Sequence, residues 1–157
     1  MLGSGIPGEW EGIGAQLPVV RRAELLQHFL DALGSINDVW LKEHPETPLL
    51  YSSGVTYQHE DSKDEWRDIP SVLDAGSSDC EDLASWRAAE LRAHGVSAET
   101  LLKWQQFPEG GTLYHVVVFR RNVSRDLPPG WDKPGQRVLY RYEDGWIEDP
   151  SRVLGMP

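Results

Sequence analysis

Apolar residues recur at intervals of three and four from Leu25 and Leu26 through Phe29, Leu33 and Ile36 to Trp40. That spacing places one continuous stripe on a helix, with Arg21, Glu24, Gln27, Asp31 and Asp38 largely off it. Pro18 marks the helix start, Gly34 weakens its middle and Pro45 ends it. Upstream, residues 1–17 hold five Gly and one Pro without periodicity, so they read as an extended arm before a single domain over 18–157. Beyond the helix, Glu43 to Ser53 is turn-rich and Val55 to Tyr57 reads as a short strand. Residues Glu60 to Glu65 are acidic and polar, and Ala75 to Asp79 form a small-residue segment able to bend the chain before a helix.

A second helix is predicted from Asp79-Cys80 to about His94, with Gly95 as its stop. Ala84, Ala88 and Leu91 follow Cys80 at intervals of four, four and three, and this small-residue face suits close packing on a sheet. After Gly95 the period falls towards two. Glu99 to Phe107, Thr112 to Arg121, Arg137 to Tyr142 and Trp146 to Pro150 read as strands, with turns at Gly110-Gly111 and Gly130 to Gly135. Alternation puts His115, Val117 and Phe119 on one face. No repeat or linker divides the chain, and helices followed by an antiparallel sheet make an α+β arrangement.

Composition narrows the function classes. A chain of 157 residues is long enough for one core, and 39% apolar content with seven Trp marks a folded domain in which the Trp are packing residues. The net charge of −10 argues against nucleic acid and anionic membrane as partners, since the closest thing to a basic cluster, Arg120-Arg121, reads as solvated at a strand end. One cysteine excludes an intramolecular disulfide and a Cys-rich zinc site. Neither a signal peptide nor a spanning helix is evident, so a cytoplasmic protein is expected.

Cys80 is therefore conspicuous. Most lone cysteines are small buried residues, but this one begins a helix, where unpaired amides and the macrodipole favour a thiolate and could cradle an oxyanion. His115 interrupts an apolar strand and could act as base. Asp149 ends the last strand, where a carboxylate could orient that imidazole. His59 is a competing base, though it precedes the cysteine. His28 and His44 read as helix-surface residues.

The strings Gly76-Ser77-Ser78-Asp79-Cys80-Glu81-Asp82-Leu83-Ala84, Tyr114-His115-Val116-Val117-Val118 and Ile147-Glu148-Asp149-Pro150 occur in an order that resembles the transglutaminase-like superfamily, which shares the papain-type core. The resemblance spans Val72 to Pro150. It implies a transglutaminase-like fold and a Cys80, His115, Asp149 triad that forms a thioester on a protein or peptide substrate, with water or an amine as acceptor. It also implies an oxyanion donor upstream of the cysteine, for which Tyr57 and Gln58 are candidates, and extends to small proteins of bacterial and phage genomes. No cofactor is required. The carboxylates of Asp79, Glu81 and Asp82 read as helix-start residues or, as in a calcium-dependent branch, as the beginning of a Ca²⁺ site. Because they raise the pKa of a nearby thiol, they also leave open a different class, an inactive adaptor or assembly protein that keeps the fold.

Overall fold

The computed structural model describes residues 19–59, 66–121, 127, 131 and 139–157. The arm over residues 1–17, the start at Pro18, the acidic stretch Glu60 to Glu65 and the turn Gly130 to Gly135 (Trp131 excepted) lie outside them. Helix α1 runs Val19–Glu43. Its buried stripe is Leu26, Leu30, Leu33 and Asn37, displaced from the expected line, and Ile36 is 53% exposed. The cause is Asn37, which takes the inward position in place of Ile36. Its Nδ2 donates to Ser85 Oγ and its Oδ1 accepts from the Ile69 amide, both at 3.0 Å. A buried polar side chain satisfied at both ends costs little, and the adjacent isoleucine is then rotated about 100° into solvent.

A 3₁₀ turn, Leu50–Ser52, precedes β1, Thr56–Tyr57. A short helix not anticipated from periodicity, α2 (Ile69–Ala75), follows; the Asp68 side chain accepts from the Ser71 amide as its cap. Its signals were local rather than periodic: Asp at the cap, Pro70 in the first turn, and Gly76 at φ 78°, a left-handed position that ends the helix. Strand β2, Ser77–Ser78, pairs in parallel with β1, adding a small second sheet. This pairing ties Tyr57 and Gln58 to the turn that delivers Cys80.

Helix α3 runs Cys80–Ala93, with every residue from Cys80 to Leu91 buried. A helix covered all round needs partners on each side. Cys80, Ala84, Ala88 and Leu91 pack with Val116 and Val118, while Leu83 and Trp86 join Leu50, Ile69 and Val72 in a second cluster. Full burial of Leu83 and Leu91 stabilises by roughly 1.5–3 kcal/mol each.

The main sheet has four antiparallel strands in the order β3-β4-β6-β5: Ala98–Gln106, Thr112–Arg120, Gly145–Glu148 and Leu139–Tyr142. The molecule is thus α+β. The β3–β4 hairpin turns at Gly110 and Gly111, both at positive φ. Tyr114, Val116 and Val118 face α3; Val117 and Phe119 face the opposite way and pack with Ile147. Arg120 is not solvated as expected. It is 2% exposed, and its Nη1 lies 3.1 Å from Glu148 Oε1. The β4–β6 ladder ends at Val118 opposite Glu148, so the next residue, Asp149, leaves the sheet beside the His115 end of β4 and caps helix α4, Pro150–Val153. Among the described residues, no helix is long and apolar enough to cross a membrane.

Candidate active site

Two of the candidate residues, His115 and Asp149, meet where the ladder stops. Asp149, 6% exposed at its side chain, brings Oδ2 to 2.9 Å from His115 Nε2. Its other oxygen accepts from the Arg152 amide at 3.5 Å, and Arg152 Nε lies 3.5 Å from Oδ2, so the carboxylate is fixed from three sides. With Nε2 engaged by Asp149, Nδ1 of the His115 ring makes no hydrogen bond among the described residues.

Cys80 is the first residue of α3 and is buried. Burial, the largest influence, pushes its thiol up; Glu81 and Asp79 push the same way, while the Val116 amide, next in the chain to His115, favours the thiolate. The thiol donates to Glu81 Oε2 at 3.5 Å, and among the described residues no hydrogen bond joins it to His115. Its own amide donates to Asp79 Oδ1 at 2.7 Å. That helix-start amide is therefore occupied, contrary to the expectation that it would receive an oxyanion.

Tyr57 is half-buried and packs against the cluster that contains Cys80. Burial first, then the charges of Asp79, Cys80, Glu81 and Asp149, hold its hydroxyl protonated far above the neutral range. A hydroxyl so held is an O–H donor. Gln58 is exposed, with Oε1 accepting from Ser77 Oγ at 2.9 Å, whereas Tyr57 packs against the cluster that contains Cys80. His59, ranked below His115 by chain order, has Nδ1 3.5 Å from Asp79 Oδ2, on the carboxylate that holds the Cys80 amide.

The three flanking acids divide. Asp82 accepts from the Arg67 amide at 2.8 Å and from Ser78 Oγ at 2.6 Å, fastening the segment before α2 to the cysteine turn. The group within mutual reach is Asp79, Cys80 and Glu81, whose ligand atoms lie within 4.8 Å of one another. A thiol in place of the third carboxylate does not suit calcium, a hard ion that takes only oxygen ligands. Burial, with Asp82 and Asp79, pushes the Glu81 carboxyl well up, so this crowded pocket resists carrying several charges.

Comparison with family models, with curated proteins and with solved structures finds no match. The functional reading therefore stands on the residues themselves.

Proposed function

We propose that this protein is a cysteine-dependent peptidase or amide hydrolase/acyl transferase of transglutaminase-like fold. The observation that carries the reading is the 2.9 Å bond between His115 Nε2 and Asp149 Oδ2, together with a cysteine that opens a helix packed on the same strand. Nucleophile at a helix start, base on a strand and orienting carboxylate at the next strand's end form a set that an ordinary core histidine does not need.

Because the thiol is held protonated, no resting thiolate–imidazolium pair is required of the mechanism. As Cys80 Sγ attacks the substrate carbonyl, its proton passes to His115 Nδ1, and Asp149 stabilises the imidazolium that forms. The tetrahedral oxyanion takes the Tyr57 O–H as donor. Collapse breaks the C–N bond, and the leaving amine takes the proton from His115, giving a thioester on Cys80. Water or an amine then attacks the thioester, again with His115 as base, and the thiolate leaves as the thiol.

A second reading, a fold-retaining adaptor without activity, is favoured by the bond from the thiol to Glu81 rather than to His115. Incubation with p-nitrophenyl acetate followed by intact-mass and peptide analysis separates the two. A working triad acetylates Cys80, with the rate falling roughly 100-fold or more in His115→Ala. A Cys80 that stays unmodified, or acetylates at the same rate without His115, establishes the adaptor.

A further inference from the structure

A cleft of about 440 Å³ opens beside the His115–Asp149 pair on the sheet face turned away from α3. Register explains its lining: Lys103 stands opposite His115 and Gln105 opposite Leu113, so those side chains share one face. Tyr140 closes the far side and Arg152 the end next to Asp149. The charges are unusual for this molecule. In a chain with 25 acidic and 15 basic residues, the described lining carries two cations, Lys103 and Arg152, and one carboxylate, Asp149. Asp149 is already bound to His115.

Lys103 Nζ donates to Tyr140 Oη at 2.9 Å and lies 5.2 Å from that ring's centroid. A neutral hydroxyl and aromatic faces position the ammonium without neutralising it. Among the described residues no carboxylate pairs with it. The Arg152 side chain is exposed and reaches Asp149 through Nε at 3.5 Å, a loose contact. Leu113, 48% exposed, and Tyr140, 40% exposed, supply apolar surface between the two charges.

We infer that this cleft binds a carboxylate of a peptide substrate, seated between Lys103 and Arg152 with its adjoining apolar part on Leu113 and Tyr140. The inference rests on the reading of His115 and Asp149 as part of an amide-processing site, and names the substrate class that site selects. A glutamate or aspartate side chain and a free C-terminus offer the same group.

The test uses Cys80→Ala, which binds without turnover, and three short peptides measured by calorimetry. One is capped at both ends with a central Glu, one is its Gln counterpart, and one is the Gln peptide with a free C-terminus. At least one carboxylate peptide binds about tenfold tighter than the neutral one, as a charge-assisted contact provides. That advantage shrinks with added salt and disappears in Lys103→Ala/Arg152→Ala, whose altered side chains are both exposed. Which carboxylate peptide wins identifies the source of the group. Equal affinity, no binding by any of the three, or an advantage that survives the double substitution overturns the inference. Because Cys80 is absent from the measurement, the result is independent of whether Cys80 acylates.

Discussion

At the residue scale the decisive quantity is the protonation of Cys80. A buried thiol beside carboxylates is a poor thiolate, and a helix start offsets only part of that cost. Asp79 is the informative position, because asparagine caps a helix as well as aspartate does and its Oδ1 still accepts from the Cys80 amide. Asp79→Asn removes one charge and leaves the geometry, so the Cys80 pKa should fall. A thiol that is mostly protonated gains about tenfold in thiolate for each unit of decrease. Iodoacetamide alkylation near pH 7 should therefore accelerate several-fold, and an unchanged or slower rate would show that burial alone sets the thiol. The candidate residues stand out in the chain because the proposed chemistry would demand particular side chains in a particular order: a cysteine after a small-residue bend, a histidine within an apolar strand, an aspartate before proline. Their mutual bonds were not legible. Whether a thiol turns towards Glu81 or towards His115 depends on rotamers and on the hydrogen bond that Asp79 makes with the Cys80 amide, and neither has a sequence signal.

At the scale of elements, periodicity located α1, α3 and the strands of the main sheet, because each buries a face with a fixed repeat. It failed where the inward side chain is polar. Asn37 and Arg120 both lie in the interior, and each is satisfied by partners distant in sequence. Arg87 is the central case. Wholly buried on α3, it donates through Nε to Glu148 at 2.5 Å and through Nη1 to Glu90 at 2.8 Å, and it stacks 4.5 Å from the Tyr51 ring centroid. Tyr51 Oη also donates to Glu148. This network joins the helix that carries Cys80 to the strand whose next residue is Asp149, so its geometry bears on the site. The strand itself depends on close contact at Gly145, where an added Cβ would meet the Phe119 ring at 2.5 Å and the Arg120 carbonyl oxygen at 2.8 Å. A backbone oxygen cannot step aside without shifting β4. Gly145→Ala should cost roughly 1–3 kcal/mol in urea unfolding, and should also slow acetylation of Cys80 by displacing Asp149. Wild-type stability in this variant would mean that β6 is free to move.

At the scale of the whole molecule, buried carboxylates set how stability responds to pH. Burial alone would push the Glu148 carboxyl up, but Arg87, Arg120 and Tyr51 together hold it below the ordinary value. Its contribution is therefore present above the unfolded pKa and is lost as pH falls through the lower folded value. Glu81 has the opposite sign. Burial, then Asp82 and Asp79, raise its folded pKa well above 4.5, so the folded state binds the proton more tightly than the unfolded chain does. Folding is favoured by that proton at low pH, and the advantage is lost as pH rises from about 4.5 towards the folded value. Glu90, raised chiefly by burial against the pull of Arg87, acts in the same direction. The molecule should thus lose stability on both sides of a mildly acidic optimum, through Glu148 below and through Glu81 and Glu90 above. Glu81→Gln isolates the upper limb, since the amide is neutral at every pH. Its melting temperature should match wild type near pH 4 and exceed it at pH 7, by roughly 2–4 °C for each kcal/mol recovered in a chain of this size. A constant difference across that range would mean that Glu81 titrates alike in the folded and unfolded chain and is therefore ionised in the folded protein at neutral pH. The flank of Cys80 would then hold a fixed negative charge, which the thiol could overcome only with a cationic His115.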